Sequence, residues 1–422
     1  MRLRYDAVVN VGMLLALRVQ APKGQVRRMA SSWLRSARVW LWSGLILGAA
    51  AAPLILMSVP AQAALSGDSW TAATIPAGFD LVNDASLSPV SCVHGTKFCV
   101  VVASNDDVIG TNDSIGQGDL VTTNGGVTWT GYTDLPSASI YVTALSCPTV
   151  RVCWAAGQGP QNQPELATSA DGGRTWTLAT PADWASDTGS WWPNGIDCVS
   201  VSTCWLAGQN ESIVTPVVAE TTDGGATWAT FSNLPPGNPD VWGDTYQLNS
   251  ISCISAQTCV SVGGLNGGSG PAAVISTTNG GASWSFSTDP KLAKSQDLFS
   301  VSCLPGRSTI SQVICQAAGT ALEGAGPVEM TSRNGGVSWS RLQTFDNTGW
   351  LNSISCANPA HCWAAGAGTT VALVGTSNRG ASWSTVTSDT TNEVGSVSCA
   401  TVDFCAATTD GQLWVTSDDG GL

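Results

Sequence analysis

Two sets of side chains in this 422-residue chain have types and spacing that could do chemistry. The first is cysteine. Fourteen cysteines fall into seven close pairs: Cys92 with Cys99, Cys147 with Cys153, Cys198 with Cys204, Cys253 with Cys259, Cys303 with Cys315, Cys356 with Cys362, and Cys399 with Cys405. Such thiols either form disulfides or hold zinc. Structural zinc wants tightly spaced pairs grouped in fours or joined by histidine. Here successive pairs lie roughly fifty residues apart, and the only histidines are His94 and His361. An even count behind an export signal therefore reads as seven disulfides, with no metal.

The second set is aromatic and acidic. Trp184, Trp191 and Trp192 stand with Asp183 and Asp187; Asp240, Trp242, Asp244 and Tyr246 form a second group; Asp346 and Trp350 form a third. Indole faces stack on sugar C–H surfaces, carboxylates accept hydroxyl hydrogen bonds, and such mixed linings suit a glycan. The alternative is packing, since Trp is highly buried on average. A carboxylate pair for glycoside hydrolysis could be drawn from Asp183, Asp187, Asp240 and Asp244. The acids from Asp106 to Asp119 lack the ordered spacing of a calcium loop and read as a solvated loop. No cofactor is expected.

These residues need elements to position them, and an internal repeat supplies those elements. Each unit reads as a short apolar strand ending in Ser-Cys, a brief loop, a second strand such as Cys-Trp-Ala-Ala-Gly, and a variable loop. A third strand, a Gly-Gly turn and a strand opening in Thr-Trp or Ser-Trp complete it. The turn occurs in full at Thr122–Trp129, Thr168–Trp176, Thr221–Trp228, Thr277–Trp284, Thr331–Trp339 and Thr376–Trp383. Its Asn or Asp is Asn124, Asp171, Asp223, Asn279, Asn334 or Asn378, and its Trp is Trp129, Trp176, Trp228, Trp284, Trp339 or Trp383. The acid or amide can accept N–H bonds in its own turn, and glycine supplies backbone angles other residues resist. The Trp buries a large surface, and its N–H is expected to find a partner. Trp154, Trp205 and Trp363, each directly after a Cys, read as core.

The pattern resembles the Asp box of BNR repeats, S/T-x-D/N-x-G-x-T/S-W, over residues 64–422. The resemblance implies an all-β, seven-bladed β-propeller of four-stranded Asp-box blades. A seventh box is split: Asp418 lies near the C-terminus and Trp70 near the other end. The N-terminal strand is thus expected to complete the last blade and close the ring, which removes exposed sheet edges. Cys hairpins and box turns should share one end of the blades, the bottom; the resemblance puts ligand sites at the top.

Residues 1–63 carry eight Lys/Arg and one acid, an apolar run from Val39 to Val59 and a small-x-small site at Ala61-Gln62-Ala63. They read as a signal peptide or an uncleaved hydrophobic helix that anchors the chain. The remainder, read as one propeller domain at 64–422, has nine Lys/Arg against 29 acids, a net of −20. That charge repels phosphate backbones, so nucleic acid is excluded as a partner. A secreted or cell-envelope location follows, with membrane contact only through the N-terminal segment, and the propeller is expected to be monomeric.

Sialidase-like and photosystem-assembly-factor-like propellers share the repeat. Sialidases hold the substrate carboxylate with three arginines. Here Arg151 and Arg307 fall in Cys hairpins, Arg174, Arg333 and Arg379 in box turns, and Arg341 just past a box Trp, so no clamp forms on the top face. The arginine-rich protein-binding patch of the assembly factors is not evident either. The reading is a non-catalytic exported propeller that binds a glycan or an extracellular protein through its top loops. The alternatives are a glycoside hydrolase using two top-face aspartates and a structural envelope protein.

Overall fold

In the computed structural model, the described residues are 69–77, 79, 89–103, 118–133, 140–159, 163–181, 184, 191–210, 215–231, 233–236, 245–265, 270–305, 313–321, 326–345, 349–368, 373–386, 393–409 and 412–417. Residues 1–63, read above as a signal peptide or anchor, lie outside them, as do Asp240, Trp242, Asp244, Asp418, Asp183, Asp187 and Asp346.

The strands form seven four-stranded antiparallel sheets, each a meander of consecutive strands A, B, C and D. The last sheet has the order β1-β28-β27-β26, with β1 at Ser69–Ala72, β26 at Val394–Thr401, β27 at Phe404–Thr409 and β28 at Gln412–Ser417. The N-terminal strand is therefore strand D of blade 7, with Trp70 opposite Thr416. Closure joins residues far apart in the chain, Thr71 Oγ1 donating to Val415 O across 344 positions, so the ring is latched by pairing the first described strand with the last.

All seven expected cysteine pairs are disulfides, each fastening the hairpin between strands A and B of one blade. Cys92 is bonded to Cys99, Cys147 to Cys153, Cys198 to Cys204 and Cys253 to Cys259. Cys303 is bonded to Cys315, Cys356 to Cys362 and Cys399 to Cys405. The box turns meet the same hairpins. N–H groups of Gly125, Gly172, Gly224, Gly280, Gly335 and Arg379 donate to the carbonyls of Lys97, Arg151, Ser202, Gln257, Val313 and Ala360. Each of these six blade bottoms is thus fastened twice, once by sulfur and once by backbone. Within a box the side chains act locally. Asn124 Oδ1 accepts from Thr128 N at 3.0 Å, and Thr122 Oγ1 accepts from Gly126 N at 3.0 Å. The equivalent hydroxyls in blades 2 and 5 belong to Ser169 and Ser332, so those boxes begin one residue later than the sequence pattern put them.

The core lies between blades. Each of the seven apolar clusters draws on two neighbouring sheets. Box Trp rings pack on the preceding blade: Trp228 on Trp154, Trp284 on Trp205 and Trp70 on Trp363, with centroids 5.9, 5.9 and 5.3 Å apart. The second box glycine makes room for this. At Gly225, φ is +85° and a Cβ would sit 2.2 Å from the Trp154 ring, so both backbone angle and space demand glycine.

The expected indole hydrogen bonds are mostly absent. Trp383 donates to the buried Glu329 at 3.1 Å. The buried N–H groups of Trp70, Trp129, Trp176, Trp228, Trp284 and Trp339 have no acceptor among the described residues. Magnitudes explain the choice. Burying about 200 Å² of indole is worth roughly 5 kcal/mol, against about 1–3 kcal/mol for one unmade bond.

Candidate functional site

Strand A of each blade lines a central channel with a cavity of about 670 Å³. Its inner edge has no further strand to pair with. Side chains from neighbouring blades meet the need instead. The N–H groups of Cys147, Cys198, Cys303, Cys356, Cys399 and Cys92 donate to the hydroxyls of Ser91, Ser146, Ser252, Ser302, Ser355 and Ser398, at 2.9–3.2 Å. The seventh donor, Cys253 N, reaches Asp197 Oδ2 at 2.6 Å. Together these seven bonds form a closed belt that explains the recurrent Ser-Cys. At Asp197, burial pushes the carboxyl up to about 6, against the opposing pull of the Cys253 and Cys198 N–H groups.

Above the belt, strand A carries a β-bulge in six blades, at Thr143, Asn194, Asn249, Phe299, Asn352 and Gly395. The bulge turns an extra side chain toward the channel and breaks the apolar alternation. Strand B answers with glycine: a Cβ on Gly157, Gly208, Gly263, Gly319 or Gly366 would lie within about 2 Å of a strand A carbonyl. This bulge corrects the sequence reading. Trp191, Trp192, Tyr246 and Trp350 belong to strands A, not to crossover loops, because alternation ceases to signal strand where the register shifts. Asp119, read as the end of an acidic loop, is a buried strand residue for a related reason: it lies in the sandwiched strand C of blade 1.

Two residues above the bulge, register places Tyr141, Trp192, Gln247, Asp297 and Trp350 at equivalent positions around the upper rim. Glu393, immediately before strand A of blade 7, continues the series. Trp350 is 42% exposed. Its Nε1 donates to Glu393 Oε1 at 3.3 Å, and Asn352 Nδ2 donates to the same oxygen. A bifurcated carboxylate thus fixes an exposed indole at the channel mouth. On the neighbouring blade 5, Asp297 accepts from Asn249 Nδ2 at 2.8 Å and Gln247 Nε2 at 3.2 Å. Burial outweighs those bonds and raises its carboxyl to about 7.

Three of the aromatic candidates are not available to a ligand. Trp184, Trp191 and Tyr246 are 4%, 0% and 1% exposed. Trp184 packs edge-on against Trp191 and Trp228, at 5.1 and 5.7 Å. Tyr246 donates to Pro235 O at 2.9 Å and packs on Phe286. Their rings fill blade junctions, where buried area outweighs any exposed role. Trp192 is half-buried on the rim. Trp154, Trp205 and Trp363 are buried on strands B, at 2%, 0% and 4% exposure. Tyr141, Gln247, Asp297 and Glu393 were not singled out in the sequence, although all stand six residues before the first Cys of a blade. Among the described residues no group of three or more His, Cys, Asp or Glu side chains could hold a metal, and no helix is long and apolar enough to cross a membrane.

No protein-family profile matches the chain, and no curated protein matches it. Solved structures do. They include YCF48 bound to D1 peptide, 14% identical with a TM-score of 0.55 over 82% of this chain and 96% of that one. YCF48 from Cyanidioschyzon merolae is 12% identical, with a TM-score of 0.55 over 83% and 99%. The WD40 β-propeller domain of Doa1 is 10% identical, with a TM-score of 0.50 over 83% and 97%. The chain is a seven-bladed β-propeller, and at these identities the likeness extends to fold alone.

Proposed function

We propose that this protein is an exported, non-catalytic propeller that binds an extracellular glycan at the upper rim of its channel. One observation carries the reading: Trp350 stands exposed at the mouth of a hydroxyl- and amide-lined channel, held by Glu393, which Asn352 also anchors. A fixed aromatic face beside acceptors and amides is what a sugar ring uses, apolar on one side and hydroxylated around its edge. Export is supported by seven disulfides, which persist in oxidising compartments, and by the basic, then apolar, N-terminal segment. The glycoside hydrolase alternative rests on a pair drawn from Asp183, Asp187, Asp240 and Asp244, all of which lie outside the described residues.

A second reading is a peptide or protein ligand on the same rim. It is favoured by the similarly folded YCF48 propeller, whose structure contains a D1 peptide. A glycan array with the oxidised protein separates the two. Native protein should bind, and Trp350→Ala should bind about tenfold more weakly, the factor that about 1.4 kcal/mol represents, with an unchanged melting temperature. Absence of binding by the folded native protein would remove the glycan reading and leave a protein partner or a structural role.

A further inference from the structure

At the bottom of the junction between blades 1 and 2, a second cavity of about 330 Å³ gathers three cations. Lys97 comes from the Cys hairpin of blade 1, Arg151 from the hairpin of blade 2, and Arg174 from the blade 2 box turn. The 64–422 region has only nine Lys/Arg against 29 acids. Three of those nine therefore converge on one small cleft, and among the described residues no carboxylate lines it. Among the described residues the one ion pair is Lys291–Asp289, and none of the three cations pairs with a described carboxylate.

The cleft is built rather than incidental. Lys97 and Arg151 lie on backbone held by the Gly125 and Gly172 N–H groups, at 2.9 and 2.7 Å. The Arg174 guanidinium is aimed by Tyr132: its Nε donates to the phenol oxygen at 3.2 Å, and it lies 6.0 Å from the ring centroid. Arg174 Nη1 also donates to Asp171 O. The nearby Asp171 carboxylate is already engaged, accepting from Thr175 N, Thr175 Oγ1 and Arg174 N. The floor is apolar. Phe98 is buried there and Val150 is 44% exposed at the wall. Gly172 lets the box turn close on the hairpin, since a Cβ would lie 2.5 Å from Val150 O and 3.1 Å from the Phe98 ring.

We infer that this cleft binds a small organic phosphate monoester, with the dianion among Lys97, Arg151 and Arg174 and the organic group over Phe98 and Val150. Three cations match a doubly charged head better than a carboxylate, and the planar Arg fork suits phosphate oxygens. The apolar floor distinguishes an ester from inorganic phosphate. The site is on the opposite end of the blades from the channel rim and does not depend on the glycan reading.

The test is calorimetric titration of the full oxidised protein with phenyl phosphate, inorganic phosphate and benzoate at low ionic strength. Phenyl phosphate should bind with a dissociation constant near or below about 1 mM, at least several-fold tighter than either of the others, and weaken as salt screens the charges. Arg151→Ala and Arg174→Ala should each weaken it about tenfold, while Arg379→Ala, in a distant box turn, should leave it unchanged. Circular dichroism and melting curves confirm that each variant is folded. Equal affinity for inorganic phosphate would overturn the ester assignment. Absence of saturable binding, or equal weakening by Arg379→Ala, would overturn the site.

Discussion

Replacing Asp197 by Asn should make the protein more stable at neutral pH, although it removes a buried hydrogen-bonded charge. Six of the seven belt acceptors are neutral serines; Asp197 alone brings a carboxylate to the blade 3–blade 4 junction. Its folded-state value of about 6 lies above the ordinary 3.8, so the folded chain holds that proton more tightly than the unfolded chain does. The resulting contribution is complete below about pH 4 and is lost as pH rises through about 6. At about 1.4 kcal/mol per pH decade, the gap amounts to roughly 3 kcal/mol. Asp197 keeps part of its surface open to the channel, which relieves some desolvation, so about 1–2 kcal/mol is the better expectation. Asn keeps an acceptor oxygen for Cys253 N. Urea unfolding of oxidised native and Asp197→Asn protein at pH 4 and pH 7 measures the difference. The midpoints should coincide at pH 4, and the variant should unfold later at pH 7. A variant that unfolds earlier at pH 7 would show that the 2.6 Å charge-assisted bond outweighs desolvation, and the argument would be wrong.

The boxes and staples give further expectations. Gly225→Ala should cost about 2–5 kcal/mol, combining left-handed strain with collision against Trp154, whereas Gly224→Ala meets its nearest atom at 3.5 Å and should cost only about 1 kcal/mol of strain. Equal melting-temperature losses would remove the collision from the account. Asp223, held down at about 2 by Thr227 and Thr221, should lose a little melting temperature at pH 7 as Asn, which keeps the backbone bond made by Asn124, Asn279, Asn334 and Asn378 but not the charge, and should lose more as Ala. Removing the disulfide of Cys303 and Cys315, which closes a loop of sequence separation 12, should cost slightly more than removing that of Cys356 and Cys362, with separation 6: about 2.8 against 2.2 kcal/mol by loop entropy. Guanidinium midpoints of the paired Ser variants check the order.

Sequence alone determined the repeat, the blade count, the disulfide pairing and the completion of the last blade by Trp70, because those features depend on local turns and on spacing that recurs. It also marked Trp154, Trp205 and Trp363 as core, since each follows a Cys on a sandwiched strand. It did not reveal that Trp184, Trp191 and Tyr246 are packing while Trp350 is exposed. Tryptophan is written the same way whether its ring meets another blade or solvent, and that difference arises only when neighbouring sheets come together. Tertiary structure likewise decided which residues share the channel rim, because the bulge in strand A interrupts alternation and blades some fifty residues apart in sequence supply adjacent side chains. The same physics governs Lys97, Arg151 and Arg174. Scattered through an acidic chain they look like solvated charges, and only the stacking of blade 1 on blade 2 brings them to one cleft.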